Sequence, residues 1–398
     1  MRVAVVGAGL AGLAAADALV AAGHEPIVLE ARDRVGGRVH SRTLDNGAVV
    51  EMGAEFILPG CTEALALAER LGLGLWDKGM RYGRREPRGV EVPAGALETA
   101  VAAIDLALTA GDGEGESVRG LLARLDLEPG AREAILARAE VSAAASGDLV
   151  PAGELALLAR VSDLPAPGIA GGNQLLAEAL ADAVGRERIH LGDPVRAITE
   201  DGEQLTVVTG AGELAADRCL IAVPASIIDR IDLRPSLAEP VAAALREIAY
   251  GHAAKLFVPL PGPVPLSATL AVPDRYWAWT ASGADDGVAQ PLVSAFAGSP
   301  QALGRLGVEA GAGRWAESLA ALRPDLEIDP GRAVLSTWDD DEWVRGAYSV
   351  AAPAAAVEAL TRPHGRIAFA GEHLGGEMSA LMEGAIRSGR AAVAALLR

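Results

Sequence analysis

Three glycines near the amino terminus have the spacing of a phosphate-binding turn. Gly7, Gly9 and Gly12 follow the apolar run 3–6 and begin a stretch of small residues typical of a helix. In this order of strand, turn and helix, the first glycine permits a tight turn, the second lets the backbone approach a pyrophosphate, and the third lets the helix pack on the sheet. The helix amino end then faces the phosphates, so the segment predicts a bound dinucleotide.

Charged residues that follow this turn extend the predicted site. Glu30 ends the next predicted strand, residues 26–29. A carboxylate there accepts hydrogen bonds from a ribose 2′-hydroxyl and repels a 2′-phosphate, so NADP is disfavoured. The segment 31–38, A-R-D-R-V-G-G-R, places Arg32 and Arg38 on either side of a glycine pair. Two guanidinium groups beside exposed amides could meet a pyrophosphate and a flavin beyond it.

A second pattern of strand, glycine-rich loop and helix lies near the carboxyl terminus, at residues 369–393. Glu372 follows its apolar run, and a helix is predicted to start near Leu381. The positive end of that helix would point into the same crevice, where it would stabilise an anionic reduced flavin. Met382 would then act through its backbone N–H, because the apolar face of the helix packs inward. That predicted face consists of Ile386, Gly389, Val393 and Leu396.

Composition excludes several classes of protein. The 398 residues, 51% of them hydrophobic, exceed what one core usually organises, so two domains are expected. A formal net charge of -18 argues against general affinity for nucleic acid or for an anionic membrane. The local exception is the basic cluster Arg81, Arg84, Arg85 and Arg88, which we interpret as a solvated loop.

Cysteine usage indicates a reduced compartment. The only two cysteines, Cys61 and Cys219, form no C-x-x-C pair, so no disulfide framework is expected and a cytoplasmic location is predicted. The apolar stretch 3–22 is long enough to imitate a membrane segment, but Asp17 and the spaced glycines interrupt it. We therefore expect no membrane partner, and a homodimer is left open.

The rest of the sequence alternates between helix-like and strand-like patterns. Helices are predicted at 62–72, at 93–164 with a break at 111–117, at 171–185 and at 314–322. Strands are predicted at 189–191, 195–199, 205–209, 218–223, 256–259 and 276–280, with a hairpin turn at Asp201-Gly202. This order predicts an α/β fold in which a small antiparallel meander interrupts a parallel sheet.

These segments together resemble the flavin-containing amine oxidases of the monoamine and polyamine oxidase superfamily over the whole chain. The resemblance rests on the two terminal motifs and on M-G-A-E-F at 52–56, G-G-N-Q-L-L-A-E-A-L-A at 171–181, I-A-V-P at 221–224, A-K-L at 254–256 and W-D-D-D-E-W-V-R-G-A-Y at 338–348. It implies a discontinuous Rossmann-like FAD-binding domain of the glutathione-reductase type, formed by 1–75, 168–248 and 336–398. It also implies an α+β substrate-binding domain with a helical insertion, formed by 76–167 and 249–335.

The resemblance also implies roles for single residues around FAD. Glu30 binds the adenosine ribose, Arg38 and its neighbouring glycines bind the pyrophosphate, and Val195 contacts the adenine end through its backbone. Glu372 holds the ribityl chain, and Met382 donates its backbone N–H to the flavin. The complete predicted cofactor site, in which residues 52–56 line the isoalloxazine ring, is Gly7, Gly9, Leu10, Ala11, Gly12, Glu30, Ala31, Arg32, Gly36, Gly37, Arg38, Met52, Gly53, Ala54, Glu55, Phe56, Val195, Trp338, Gly371, Glu372 and Met382.

On the substrate side, Lys255 resembles the lysine that holds a water against flavin N5, and Tyr348 resembles one wall of an aromatic cage that guides an amine. Trp338 resembles the tryptophan that packs on the flavin. Ala347 stands where members with covalently attached FAD carry cysteine, so non-covalent FAD is expected. Leu381 stands where a second cage aromatic often lies, so we expect a half-open cage and a weakly constrained substrate.

The reaction implied is a two-electron oxidation of a small-molecule amine. Its α carbon gives a hydride to flavin N5, the imine is released or hydrolysed to an aldehyde plus ammonia or an amine, and O2 is reduced to hydrogen peroxide. Alternatives are a related flavoenzyme, such as an L-amino acid oxidase or a desaturase of C–C bonds, and a non-catalytic FAD-bound scaffold.

Sequence features weigh against each alternative. An amino acid oxidase would need an arginine for the substrate carboxylate in the segment 52–60, which has none. A desaturase would favour a longer apolar insertion, and a scaffold usually carries extra docking arms. A metal hydrolase is set aside because the six histidines are scattered and no H-E-x-x-H is present.

Overall fold

The computed structural model describes residues 1–159, 164–283, 288–350 and 352–398. The strands are β1 Arg2–Val6, β2 Glu25–Leu29, β3 Ser41–Thr43, β4 Val49–Glu51, β5 Leu75–Trp76, β6 Glu86–Arg88, β7 Gly168–Ile169, β8 Ile189–His190, β9 Val195–Asp201, β10 Gln204–Thr209, β11 Glu213–Ala216, β12 Arg218–Ile221, β13 Asp232–Arg234, β14 Ala249–Tyr250, β15 Ala253–Pro259, β16 Ser267–Ala271, β17 Tyr276–Thr280, β18 Leu292–Gly298, β19 Val334–Thr337, β20 Ser349–Val350 and β21 Ile367–Phe369. The α-helices are α1 Leu10–Ala21, α2 Thr62–Arg70, α3 Ala96–Thr109, α4 Val118–Arg124, α5 Pro129–Ala143, α6 Leu155–Leu158, α7 Gln174–Val184, α8 Glu239–Glu247, α9 Pro300–Leu306, α10 Gly313–Leu322, α11 Ala354–Thr361 and α12 Met382–Leu396.

A parallel sheet with strand order β21-β12-β1-β2-β8 combines strands from both ends of the chain. Its strands are short and apolar, and α1 and α12 pack together beside it. Glycines permit this close approach: a Cβ at Gly389 would lie 2.2 Å from the carbonyl oxygen of Ala11. The α/β class expected from the sequence is therefore confirmed, and the predicted inward face of α12 is buried.

The antiparallel meander is formed by β9, β10 and β11, with β13 parallel to β9. Asp201 pairs with Gln204, so the hairpin loop is Gly202 and Glu203, and Gly202 adopts a φ of +61° that favours glycine. The predicted strands and turn are confirmed, with β9 two residues longer than expected.

A mixed sheet with the order β19-β15-β18-β17-β16-β6 provides the second layer. Its central strands are antiparallel, and the register places Ser336, Lys255, Phe296 and Trp277 in one row. Directly opposed residues project from the same face of a sheet, and neighbouring strands lie about 4.8 Å apart. The row therefore presents four side chains to one side, at nearly regular spacing.

Helices α3 to α6 form the helical insertion expected from the alanine- and leucine-rich segment 93–164. The predicted break at 111–117 separates α3 from α4. Residues 160–163 of that prediction lie outside the described residues. Helix α5 packs against the mixed sheet so closely that a Cβ at Gly298 would lie 2.4 Å from the carbonyl oxygen of Val141. In the part of the chain that the structure describes, no helix is both long and apolar enough to cross a membrane.

Candidate active site

A cavity begins at the carboxyl ends of the parallel strands and extends to the face of the mixed sheet. Val6 and Leu29 end β1 and β2 at one end of it, and Lys255 and Trp277 line the other. Ligands of open α/β sheets characteristically bind at the carboxyl ends of strands. Every residue predicted for the cofactor, catalytic or substrate site lines this cavity except Gly12. A Cβ at Gly12 would lie 1.9 Å from the carbonyl oxygen of Gly7, so that glycine lets α1 pack beneath the turn.

The glycine turn leaves a cradle for phosphate groups. Gly9 caps α1 without a side-chain hydrogen bond, and a Cβ added at Gly9 would meet no atom within 4 Å. The second glycine pair lies directly against it, because the Gly36 N–H donates to the carbonyl of Ala8 at 2.8 Å. Unpaired N–H groups at a helix amino end bind anions, and the open space fits a pyrophosphate.

The Glu30 side chain is hydrogen-bonded to the backbone of this turn. Its two carboxylate oxygens accept hydrogen bonds from the N–H groups of Ala8 at 2.6 Å and Arg32 at 2.9 Å. Burial raises the pKa of Glu30, although both backbone N–H groups oppose that shift. Each carboxylate oxygen keeps a lone pair, so the side chain can still accept a ribose hydroxyl.

Arg38 and Glu372 join the two terminal motifs. Arg38 Nη1 donates to Glu372 Oε1 at 2.8 Å and to the carbonyl of Ala347 at 2.9 Å. Glu372 also accepts from the N–H and Oγ of Ser349 and from the N–H of Ala380. Burial alone would raise the pKa of Glu372, but Arg38 and these donors hold that pKa below its usual value. Four protein donors occupy most of the carboxylate, and its contact with a ribityl chain remains a prediction.

The loop that begins with Met52 is hydrogen-bonded to β19 and to Trp338 just beyond it, beside the strand that carries Lys255. The carbonyl of Met52 accepts from Ser336 Oγ at 2.9 Å and from Trp338 Nε1 at 3.1 Å. A Cβ at Gly53 would lie 1.8 Å from the carbonyl oxygen of Arg38, so only glycine fits between the two segments. The segment 52–56 therefore forms one wall of the cavity, between the dinucleotide cradle and the mixed sheet.

Two buried lysines share one carboxylate on this wall. Lys255 Nζ lies 2.7 Å from Glu55 Oε2 and 2.9 Å from the carbonyl oxygen of Glu51. Lys78 Nζ lies 3.1 Å from Glu55 Oε1 and 4.1 Å from the centre of the Trp76 ring. Burial alone would raise the pKa of the Glu55 carboxyl, but the two ammonium groups hold it below its usual value.

Lys78 was not predicted from the sequence, yet a signal for it was present. Lys78 and Lys255 are the only lysines of the chain, whose other basic residues, apart from histidine, are all arginine. Lysine is almost never fully buried without a partner, and both lysines here are buried on one carboxylate.

Aromatic side chains form a wall of the same cavity. Trp277 and Trp279 alternate along β17 and stack at 4.1 Å, and Phe56 and Tyr82 lie within 5.8 Å of Trp277. Tyr348 completes this wall, with its hydroxyl donating to the carbonyl of Ser142 at 2.7 Å. Of these aromatic residues the sequence predicted only Phe56 and Tyr348, so the cavity is richer in aromatic residues than expected. The period-two pattern Y-W-A-W-T at 276–280 is the signal that identifies the tryptophans.

The interpretation of residues 81–88 as a solvated loop was wrong for Arg85. Its side chain is buried, lines the cavity and packs against two rings, 4.4 Å from the centre of Tyr82 and 4.2 Å from that of Trp277. Nη1 donates to Ser142 Oγ at 3.1 Å. Burial lowers the pKa of Arg85 from its ordinary value. The other three arginines of the cluster are half-buried or exposed, as expected.

Comparisons of sequence and of structure with known proteins indicate the same family. The family described as flavin containing amine oxidoreductase matches residues 10–88 and 97–397. The chain is 28% identical to putrescine oxidase of Kocuria rosea over 471 residues, covering 99% of this chain and 95% of the relative. It is 27% identical to a putative flavin-containing monoamine oxidase of Mycobacterium tuberculosis, covering 99% and 97%. A solved structure of a putrescine oxidase double mutant superposes with a TM-score of 0.84 at 25% identity, over 100% of this chain and 99% of that one.

Proposed function

The chain belongs to the flavin-containing amine oxidoreductase family, and from this premise we propose that it oxidises a small-molecule amine at the carbon attached to nitrogen. The flavin is FAD, since the glycine turn, Glu30 and the uncapped end of α1 suit a dinucleotide. When bound, FAD supplies the hydride acceptor at N5 and is re-oxidised by O2 with release of hydrogen peroxide. The oxidised product is an imine, which water hydrolyses to an aldehyde plus ammonia or an amine.

One observation carries this proposal: the cavity that starts at the dinucleotide cradle ends on the row containing Lys255. Lys255 is buried, points from the sheet into the cavity and is held by Glu55 and the carbonyl of Glu51. Two fixed acceptors leave one N–H of the ammonium, which can hold a water at a defined place. We propose that this water lies where the flavin reacts.

The aromatic wall orients the substrate and excludes bulk water. Trp277, Trp279 and Tyr348 present ring faces and edges to the cavity, and an amine nitrogen is attracted to such faces. Hydride loss requires a neutral amine, and the apolar surroundings favour that form. The protein therefore contributes orientation and electrostatics, and no side chain need act as a strong base.

Several finer expectations remain part of this proposal. We propose non-covalent FAD, because Ala347 offers no nucleophile, and direct contacts of FAD with the residues predicted for it. We also propose that the three segments 1–75, 168–248 and 336–398 form the FAD-binding unit, which contains all strands of the parallel sheet. A cytoplasmic location is proposed from the two free, buried cysteines.

Anaerobic mixing of the purified flavoprotein with amines and amino acids tests the activity. A substrate bleaches the flavin absorbance, and hydrogen peroxide appears when oxygen is readmitted. If no amine-bearing compound bleached the flavin, a non-catalytic role would replace this proposal. Lys255→Met is expected to keep FAD bound but to slow flavin reduction or re-oxidation, and unchanged rates for both would remove Lys255 from the mechanism.

A further inference from the structure

Arg85 is a buried cation that faces the cavity with no carboxylate beside it. Its side chain is 6% exposed and donates to Ser142 Oγ and, at 3.4 Å, to the carbonyl of Tyr82. Among the described residues it forms no ion pair, whereas Arg38, Lys78 and Lys255 each contact a carboxylate within 3.1 Å. A buried charge is normally paired, because removing it from water is unfavourable. A ligand that enters the cavity is the remaining source of a counter-charge.

The setting of Arg85 leaves it suited to a planar anion. The rings of Tyr82 and Trp277 lie 4.4 and 4.2 Å from the guanidinium carbon, and their centres are 5.5 Å apart with nearly perpendicular planes. The two rings therefore pack against adjacent sides of the guanidinium. The side chain also lines the cavity, so a ligand there can approach its N–H groups. A guanidinium edge binds a carboxylate through two parallel hydrogen bonds.

Arg85 and the reacting end of the cavity are on the same wall. Lys255, Phe296 and Trp277 occupy one row on three adjacent strands, so Trp277 lies two strand spacings, about 10 Å, from Lys255. Arg85 lies over Trp277 at the far end of this row. An amine that reacts beside Lys255 can therefore extend along the row towards Arg85.

The charges that line the cavity favour an anion at that point over a second ammonium. Glu55 is shared by two lysines, and Glu372 accepts from four donors. Glu154 and Glu377 also line the cavity, but both are exposed to solvent. At Arg85 itself, the distal ammonium of a diamine would meet a like charge.

We propose that Arg85 binds a carboxylate of the substrate, so that this enzyme oxidises amino carboxylates in preference to simple amines or diamines. The inference rests on the proposed amine oxidase function and specifies its substrate class. This carboxylate-binding arginine lies in residues 81–88, whereas the sequence analysis expected such an arginine in the segment 52–60.

Binding of a non-reacting probe tests Arg85 without any turnover. Benzoate and its uncharged counterpart benzamide are titrated into the FAD-loaded enzyme, and the change in flavin absorbance is recorded. Arg85→Met is expected to weaken benzoate binding tenfold to a hundredfold, the range of a charge-assisted hydrogen-bonded contact, and to leave benzamide within twofold. Arg85→Lys keeps the charge but not the two-nitrogen edge, so its loss should be smaller. Arg81→Met, at a partly exposed neighbour paired with Asp77, is the matched control.

Matched substrates give the second arm. Phenylalanine is compared with phenethylamine, and 5-aminopentanoate with pentylamine, in wild type and in each variant. We expect Arg85→Met to raise KM for the carboxylate member of a pair tenfold or more while kcat/KM for the plain amine is unchanged or higher. Equal losses for both members, or unchanged benzoate affinity, would make Arg85 a structural anchor of its loop and overturn the proposal.

Failure of this inference is distinct from failure of the proposed function. If plain amines bleach the flavin and carboxylates neither bind nor react, the enzyme is an amine oxidase and the assignment of Arg85 is wrong. If nothing bleaches the flavin, the oxidase function fails, and the benzoate titration still decides whether Arg85 binds anions. The flavin-to-protein absorbance ratio of each variant shows whether it has folded, and Arg85→Lys replaces Arg85→Met if the latter loses FAD.

Discussion

Glu55→Gln keeps the shape of a side chain but removes the negative charge between the only two lysines of the chain. Both ammonium groups are buried, at 2.7 and 3.1 Å from the carboxylate oxygens. A pair of unit charges 3 Å apart gains about 5.5 kcal/mol at an effective dielectric constant of 20. Once the carboxylate is replaced by a neutral amide, two like charges lie close together in a buried site.

Removing one partner of a buried ion pair costs about 3 to 5 kcal/mol, and we expect a deficit of that size for Glu55→Gln at neutral pH. The two ammonium groups hold the pKa of the Glu55 carboxyl below its usual value of about 4.3, so its charge stabilises the wild-type fold at every pH above that value. This contribution is lost as the pH falls through the lower folded pKa, whereas glutamine does not titrate. We therefore expect the deficit to be constant above about pH 5 and to shrink on further acidification.

Thermal unfolding followed by tryptophan fluorescence measures this dependence. With about 2.1 cal/mol/K of unfolding entropy per residue, a deficit of about 3 to 5 kcal/mol corresponds to a loss of about 4 to 6 °C in Tm. Glu140→Gln is the matched control, since the Glu140 carboxylate is buried between Arg119 at 2.5 Å and Arg275 at 2.7 Å. Glu140 does not line the cavity, so its variant should lose stability without a change in flavin reduction, whereas Glu55→Gln should also slow that step because Lys255 loses its anchor. A Glu55→Gln deficit below about 1 kcal/mol at neutral pH, or one that did not shrink in acid, would refute the reasoning.

Three further changes test other parts of the site. Gly9→Ala places a Cβ in the open cradle where it meets no protein atom within 4 Å, so FAD affinity should fall more than tenfold, or by more than about 1.4 kcal/mol. Flavin absorbance per protein measures this, and Gly304→Ala, whose Cβ is equally free of contacts, should keep full FAD. Lys78→Met removes one of two cations from Glu55, and we expect stopped-flow traces to show flavin reduction slowed about tenfold, which corresponds to about 1.4 kcal/mol on the barrier. Lys78→Arg should restore the rate, and identical rates for both variants would exclude a role for this charge. Tyr348→Phe loses the hydrogen bond to the carbonyl of Ser142 but keeps the ring, so the free energy of unfolding should fall by about 1 kcal/mol and KM should be unchanged. A change in KM without a change in stability would instead place the hydroxyl on the substrate.

The dinucleotide end of the site could be predicted from the sequence because it is built from adjacent residues. Gly7, Gly9 and Glu30 belong to one strand, turn and helix unit, whose geometry follows from local spacing. The same holds for Glu372 and Met382 in the carboxyl-terminal unit. Local spacing did not predict the contact between the amino-terminal and carboxyl-terminal units. That contact is the ion pair of Arg38 with Glu372 at 2.8 Å, across more than three hundred residues of sequence.

The substrate end was decided by the tertiary structure. Arg85, Trp277 and Lys255 come from separate segments that are unremarkable by themselves. The strand register together with the packing of residues 76–88 brings them to one cavity, and the same segment 76–88 brings Lys78 to Glu55. A basic run of sequence looks solvated because nothing local reveals which of its residues turns inward, so Arg85 was misjudged. The sequence by itself determined a flavin dinucleotide site, since that recognition uses backbone geometry encoded locally. Only the fold decided which charges surround the reacting amine, because burial and pairing depend on contacts between distant parts of the chain.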